Sequence, residues 1–165
     1  MNDHYFISAD EACVTNLSWW GVDQDGYVAM LASGGARIPK VLTWTNVEKL
    51  YNYFFKDAPV VSEATDDLRY WSLFPSSVAW EYQMKRQDSS YSNEAISVAS
   101  KGAYLYEGAL TDPCDIHYYR AMLPSKPILF RQLPIEIQRC FEGKPLPISF
   151  AKTEIFEDMV IPNHI

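Results

Sequence analysis

The chain has few of the residues that build disulfide frameworks or metal clusters. Among its 165 residues, three are cysteines (Cys13, Cys114 and Cys140) and three are histidines. An odd number of widely spaced cysteines is typical of free thiols in a reducing compartment, so we expect a cytoplasmic protein. Their spacing matches neither C-x-x-C nor H-x-x-x-H, and we therefore expect no metal site and no cofactor.

Long hydrophobic runs and a recognisable targeting segment are also missing. No stretch approaches the roughly 20 consecutive apolar residues that a membrane-spanning helix needs. Residues 1–4 are not basic and no apolar segment follows them. The sequence therefore predicts neither a signal peptide nor a membrane-bound protein.

Positive charge is scarce, because 14 Lys and Arg stand against 21 Asp and Glu, which gives a net charge of -7. Such a chain repels phosphates, which argues against nucleic acid as a partner and favours a basic protein. Hydrophobic residues make up 48% of the composition and charged residues 21%. This balance and the length predict one globular domain that covers residues 1–165.

The order of the hydrophobic patterns predicts an α+β fold, with a mainly antiparallel sheet and helices packed against it. Apolar runs at residues 17–23 and 26–33 flank Asp25 and Gly26, a pair that favours a tight hairpin turn. Further elements are predicted as strands at 5–8, 103–106, 116–123, 148–150 and 153–159 and as helices at 76–87, 93–100 and 134–141, with a helix beginning within 62–67.

The clearest helix is predicted at residues 45–56. Its apolar positions are Val47, Leu50, Tyr51 and Phe54, which follow the i, i+3, i+4, i+7 pattern of one helix face. Thr45 and Glu48 have the spacing of a capping box, in which each side chain binds a free backbone amide of the first turn. We therefore expect this helix to begin at Thr45.

No catalytic group stands in a recognisable motif. A carboxylate pair such as Asp66 and Asp67, or a nucleophile pair of Cys114 and His117, leaves a small hydrolase open as an alternative. Paired surface acids more often serve only as solvated charge, and Cys114 and His117 show no orienting third residue. The expected protein is therefore not an enzyme.

Acidic and aromatic residues are mixed in the centre of the chain, between about residues 60 and 95. This mixture is typical of protein-binding surfaces, where aromatic side chains contribute much of the binding energy. We predict a partner-binding face formed by Asp66, Asp67, Trp71, Glu81 and Asp88.

Several segments occur together in a characteristic order. They are FISADEA (6–12), WGVDQDGYVA (20–29), SGG (33–35), IP (38–39), ASKGAYLY (99–106), Tyr119, LPSKPI (123–128) and LP (133–134). In this order they resemble a family of small bacterial immunity proteins, which are encoded beside contact-dependent growth inhibition toxins and other polymorphic toxins. The likeness covers nearly the whole chain except its centre, and it lies in turns, strand starts and a helix start.

The resemblance implies a cytoplasmic antitoxin with no catalytic residues. Such a protein binds the C-terminal domain of a cognate secreted toxin and blocks its active site or substrate groove. Because this chain is acidic, we expect a basic toxin domain, and a nuclease in particular, since an acidic protein can occupy a groove built for phosphates. A regulatory protein-binding module unrelated to toxins is the alternative that the residues leave open.

Overall fold

The structure is a computed structural model that describes residues 17–33, 36–67, 90–108, 117–162 and 164, with the backbone alone for residues 90–93. Within these ranges the chain forms an α+β domain, in which helices and irregular segments pack on a mixed sheet that is mainly antiparallel. The predicted fold class is therefore confirmed. The strand predicted at 5–8 and the helix predicted at 76–87 lie outside the described residues.

Six strands are described, and five of them follow one order across the sheet. They are β1 (Ser18–Val22), β2 (Val28–Ala32), β3 (Ala64–Asp66), β4 (Tyr104–Gly108), β5 (His117–Pro124) and β6 (Ile155–Glu157). The order is β1-β2-β4-β5-β3, and β6 pairs with the same edge of β5 as β3 does. Strands β2 and β4 are parallel, whereas every other described pair is antiparallel.

The helices described are few and short. They are α1 (Trp44–Asn52), which continues into a π-helical turn (Tyr53–Asp57), α2 (Ser90–Ser100) and α3 (Ile135–Gln138). Two 3-10 turns are also described, one before α3 at Phe130–Gln132 and one after it at Asp158–Val160. Helix α3 stops short of the predicted end at residue 141, because the N–H groups of Cys140 and Phe141 donate to carbonyls only three residues back, Ile137 O (3.0 Å) and Gln138 O (3.2 Å), and the α-helical pattern gives way to tighter turns.

The predicted hairpin is confirmed, with β1 and β2 in a register that pairs Val22 with Val28. Gly26 has φ +87°, a conformation that only glycine adopts without strain. The Asp23 carboxylate supports the turn, since its Oδ1 accepts from the backbone N–H of Asp25 (3.0 Å) and of Tyr27 (2.8 Å). Local chemistry is therefore enough to specify this part of the fold.

Helix α1 exists where the sequence predicts it, but the proposed capping box is wrong. The N-cap residue is Thr43, two positions before Thr45, and its side chain makes no capping hydrogen bond. Glu142 instead accepts from the Thr43 backbone N–H (2.6 Å) and hydroxyl (3.2 Å). A glutamate 99 residues away thus takes the role that Glu48 has in the predicted box, a contact that only the folded chain can make.

Two predicted elements have a different structure. Residues 64–66 do not begin a helix but form β3, which pairs antiparallel with residues 122–124 of β5. Residues 148–150 do not form a strand, because Phe150 N–H donates to Asp23 Oδ2 (2.6 Å) and the segment turns there. In both places long-range partners decide the backbone conformation.

The sheet buries apolar side chains on both faces. On the face covered by α1 and α2, the core consists of buried side chains that include Trp20, Met30, Leu50, Phe54, Val98, Leu105 and Leu133. On the other face, the irregular C-terminal segments pack with Trp19, Leu31, Tyr106, Tyr118, Phe150, Phe156 and Ile161. Both faces of the central strands are therefore covered, and the surfaces open to a partner lie on the outer side of these layers.

Candidate interaction surface

Four side chains lie along one flank of α1 and its π-helical continuation. Trp44, Glu48, Tyr51 and Phe55 are spaced i, i+4, i+7 and i+11, so they stand above one another on the helix. Trp44 is 50% exposed and Tyr51 36%. Glu48 is also exposed and Phe55 is half-buried. We call these four residues the aromatic stripe.

Tyr51 connects the aromatic stripe to α2. Its ring stacks on that of Phe55 with centroids 4.2 Å apart, and its hydroxyl donates to Glu94 Oε1 at 2.9 Å. Partial burial, followed by the hydrogen bond and charge of Glu94, raises the pKa of Tyr51 above its ordinary value. The hydrogen bond from the phenol holds Glu94 beside the aromatic rings.

Further apolar side chains are exposed around the C-terminal half of α2. Val60 is 71% exposed, Val61 41% and Ile96 43%. The backbone N–H of Val61 donates to Ser100 O at the end of α2, which places this connection next to the helix. Large apolar side chains are equally exposed elsewhere, at Ile135 (59%) and Met159 (53%), so this exposure does not by itself set the helical side apart.

The structure describes two of the five residues that the sequence analysis assigned to a partner-binding face. Asp66 in β3 is half-exposed. Asp67 follows it and is only 6% exposed. Trp71, Glu81 and Asp88 lie outside the described residues.

Asp67 forms a buried ion pair with Arg120 of β5. Arg120 Nε donates to Asp67 Oδ2 at 2.9 Å, and its Nη1 donates to the carbonyls of Phe150 (2.7 Å) and Ala151 (2.9 Å). Next to this ion pair, the register of β5 against β4 shifts between Leu105 and Tyr106, the partner of Arg120, as in a β-bulge. Direct contact of Asp67 with a partner would require this pair to open. Asp66 is half-buried, with its Oδ1 closed off from solvent, and it is the one described acid of that predicted face that still exposes part of its side chain.

Asp23 is another buried acid whose carboxylate has defined partners. It is 1% exposed, and besides the two turn amides it accepts from Phe150 N–H. Burial raises the pKa of Asp23, and the three backbone N–H donors oppose that shift because they stabilise the charged form. This carboxylate joins the hairpin to the C-terminal segment.

A pocket of about 590 Å³ lies next to this turn. Its lining comprises residues 22–27, 129–131 and Pro145. The Asp23 carboxylate is occupied by backbone amides, so the polar side chains at the rim are Gln24, Asp25 and Arg131, all exposed. This lining has no nucleophile-and-base pair, and its rim charges are of opposite sign.

The groups named for the alternative hydrolase are only partly within the described residues. Cys114 lies outside them. His117 Nε2 is 3.9 Å from Glu157 Oε1, and both side chains are partly exposed. Cys140 is buried, and burial raises the pKa of its thiol, which makes it a weaker nucleophile at neutral pH. Among the described residues, no three His, Cys, Asp or Glu side chains are grouped as metal ligands.

Charge is unevenly divided between the interior and the surface. In the described ranges, four acids are buried (Asp23, Asp67, Glu107 and Asp158), against two buried cations (Lys101 and Arg120). The exposed and half-exposed positions of those ranges carry ten acids and nine cations. The described surface is therefore close to neutral, although the whole chain is acidic.

The sequence pattern assigns Tyr51 to the buried face of its helix and does not predict the aromatic stripe, whereas the structure leaves Tyr51 36% exposed. The signal was present as the i, i+4, i+7, i+11 spacing of residues 44, 48, 51 and 55. The sequence does not show which edge of the apolar face of α1 the sheet leaves uncovered.

Comparisons with known protein families, with curated proteins and with solved structures find no match for this chain. Within the described ranges, no helix combines the length and the apolar character required to cross a bilayer.

Proposed function

We propose that this chain is an immunity protein, which binds the C-terminal domain of a cognate secreted toxin in the cytoplasm and neutralises it. The ordered segments that resemble bacterial immunity proteins support the proposal. So does the arrangement of the described helices, which exposes Trp44 and Tyr51 beside carboxylates.

The aromatic stripe is the observation that carries the proposal. Tryptophan and tyrosine are the side chains that most often dominate binding energy in protein interfaces, because they bury a large area and lose little conformational freedom. Here Trp44 and Tyr51 are exposed on a regular helix, whose backbone holds them in fixed positions. A surface of this kind favours a protein partner over a small-molecule substrate.

Neutralisation in this proposal is occlusion, with no bond made or broken. The antitoxin covers the active site or substrate groove of the toxin. The net charge of -7 favours a basic toxin domain, and a nuclease is the class whose groove is basic for functional reasons. Since the described surface is close to neutral, mimicry of phosphate would draw on acids outside the described ranges.

The proposal is tested by pairing the chain with the toxin domain encoded beside its gene. Expression of that domain alone should arrest growth, and co-expression of this chain should restore it. The purified proteins should elute together in size-exclusion chromatography, and the antitoxin should abolish the toxin's activity in a stoichiometric titration. A toxin domain from an unrelated pair is the specificity control, and it should be neither bound nor inhibited.

Two outcomes would contradict the proposal. One is growth arrest that co-expression does not relieve while both proteins accumulate in folded form. The other is catalytic turnover of a small-molecule substrate by the purified chain alone. The predicted contact of Asp66 is tested in the same assay, since Asp66→Ala should weaken the complex while the exposed Glu136→Ala should not.

A further inference from the structure

We propose that the aromatic stripe, together with Glu94, is the docking surface for an arginine-rich segment of the partner protein. This inference deepens the proposed function and rests on it for one point only, the identification of the partner as the toxin. The surface itself is argued from the exposed rings, their spacing and the carboxylates beside them.

Trp44 and Glu48 form the first subsite. Residues four positions apart on a helix have Cβ atoms about 6 Å from each other. A cation over the exposed Trp44 ring is therefore within reach of the Glu48 carboxylate. Tryptophan is the best aromatic partner for a cation, and a planar guanidinium can stack on the ring while it donates hydrogen bonds to the carboxylate. This combination favours arginine over lysine.

Tyr51, Phe55 and Glu94 form the second subsite. The two rings are stacked, and the hydrogen bond from Tyr51 to Glu94 Oε1 keeps the carboxylate at the edge of the stack. Glu48 precedes Tyr51 by one helical turn, so it lies between the two subsites. The second subsite repeats the chemistry of the first, an aromatic surface next to a negative charge.

The spacing of the subsites limits the shape of the segment that can fill both. Trp44 and Tyr51 are seven positions apart, which corresponds to about 10 Å along the helix axis. An extended segment spans that distance in about three residues, and a helical one in about seven. The occupant therefore carries two arginines spaced i, i+3 in an extended segment or i, i+7 in a helix.

Other occupants of the aromatic stripe are disfavoured by its charge. A second copy of the chain in a two-fold contact would bring Glu48 and Glu94 towards their own counterparts, and like charges repel. An anionic lipid surface or a nucleic acid would meet the same carboxylates. Lys49 follows Glu48 in sequence and so lies about 100° further around α1, on another side.

The direct test uses the full chain and the peptide GSRGSRGSRGSR, whose arginines are three residues apart. Titration is followed by NMR of ¹⁵N-labelled protein, in which the five tryptophan indole N–H groups are internal reporters. The Trp44 signal is assigned through Trp44→Phe. We expect the Trp44 indole and the Tyr51 and Glu94 amides to shift, and the lysine analogue of the peptide to bind more weakly.

A charge-matched pair of variants separates local binding from general attraction. Glu48→Gln/Glu94→Gln should weaken peptide binding by about tenfold, which corresponds to about 1.4 kcal/mol. Glu63→Gln/Glu157→Gln removes two exposed acids elsewhere and should change it less than about twofold. Equal losses in the two variants, an unshifted Trp44 indole, or equal affinity for the lysine peptide would each overturn the inference.

The same variants distinguish this inference from the proposed function. Toxin binding that is unchanged in Trp44→Ala and in Glu48→Gln/Glu94→Gln would overturn the docking surface and leave the antitoxin proposal in place. Peptide binding centred on Trp44, with no binding of the toxin domain, would support the docking surface and overturn the antitoxin proposal. Loss of dispersion in the NMR spectrum identifies a variant that has unfolded. If Trp44→Ala unfolds, Trp44→Phe, which keeps an aromatic ring, replaces it.

Discussion

Removal of the Asp67 carboxylate is expected to destabilise the protein more than almost any other single change to a polar residue. Asp67 and Arg120 are 6% and 7% exposed, and Oδ2 lies 2.9 Å from Nε. In Asp67→Ala the guanidinium stays buried with its neutralising charge removed. Breaking a buried pair in this way costs about 3–5 kcal/mol. Since domains of this size are stable by about 5–15 kcal/mol, the variant should be close to unfolding at elevated temperature.

A double-mutant cycle shows whether this loss comes from the pair itself. Arg120→Met keeps most of the side-chain volume but leaves the Asp67 carboxylate buried without its cation. In the double variant Asp67→Ala/Arg120→Met neither charge is present, so it should be less destabilised than the sum of the single variants. The interaction energy for contacting residues is about 0.5–3 kcal/mol. Urea unfolding monitored by tryptophan fluorescence gives the free energies, provided that the m-values agree.

The exposed Glu63→Ala is the control for a change in charge alone, and it should stay within about 0.5 kcal/mol of the parent protein. The reasoning is refuted if Asp67→Ala is as stable as that control, or if the single-variant losses simply add. An unchanged stability of Asp67→Ala would mean that the carboxylate is solvated, as the sequence alone suggests, whereas additive losses would mean that Asp67 and Arg120 are not energetically coupled.

Two further changes test the backbone and the core by urea unfolding. Gly102 has φ +90°, and an added Cβ would lie 3.0 Å from Ile128 Cβ. Gly102→Ala should therefore lower the free energy of unfolding by about 1–3 kcal/mol. The control is Gly143→Ala, whose Cβ has its nearest neighbour at 3.7 Å and which should stay within about 1 kcal/mol of the parent protein. Similar losses in both glycine variants would contradict the assigned backbone conformation. Tyr118→Phe deprives the buried Trp19 Nε1–H of its acceptor at 3.1 Å and should lose about 1–3 kcal/mol, so an unchanged unfolding midpoint would show that Trp19 has another acceptor.

The parts of the fold that the sequence predicts are those whose chemistry is local. The hairpin depends on Gly26, whose φ is positive, and on Asp23, whose carboxylate accepts from the amide of Tyr27 four residues on. The buried face of α1 follows from the spacing of Val47, Leu50 and Phe54. In each case the deciding interactions join residues fewer than eight positions apart.

The parts that could not be predicted depend on partners far away in sequence. Glu142 binds the N-cap of α1, and Arg120 draws Asp67 into the interior across 53 positions. Strand β3 forms because β5 offers an edge to it, although its composition resembles a helix start. The same limit applies to the candidate surface, since the exposure of Trp44 depends on where the sheet ends.

The net charge of the chain is not the charge that a partner meets at the described surface. In the described ranges four acids and two cations are buried, and the ten acids and nine cations that remain at least partly exposed nearly cancel. Attraction over distances beyond a Debye length of about 8 Å is therefore weak at this surface. Recognition at the aromatic stripe must then come from contacts at short range, with rings and carboxylates in register with the partner's cations. Such a surface discriminates between partners by the spacing of their arginines, because a segment with the same charge in another arrangement fills only one subsite. Under the proposed function, which requires one toxin to be bound and its relatives ignored, such spacing would be a more selective device than overall acidity.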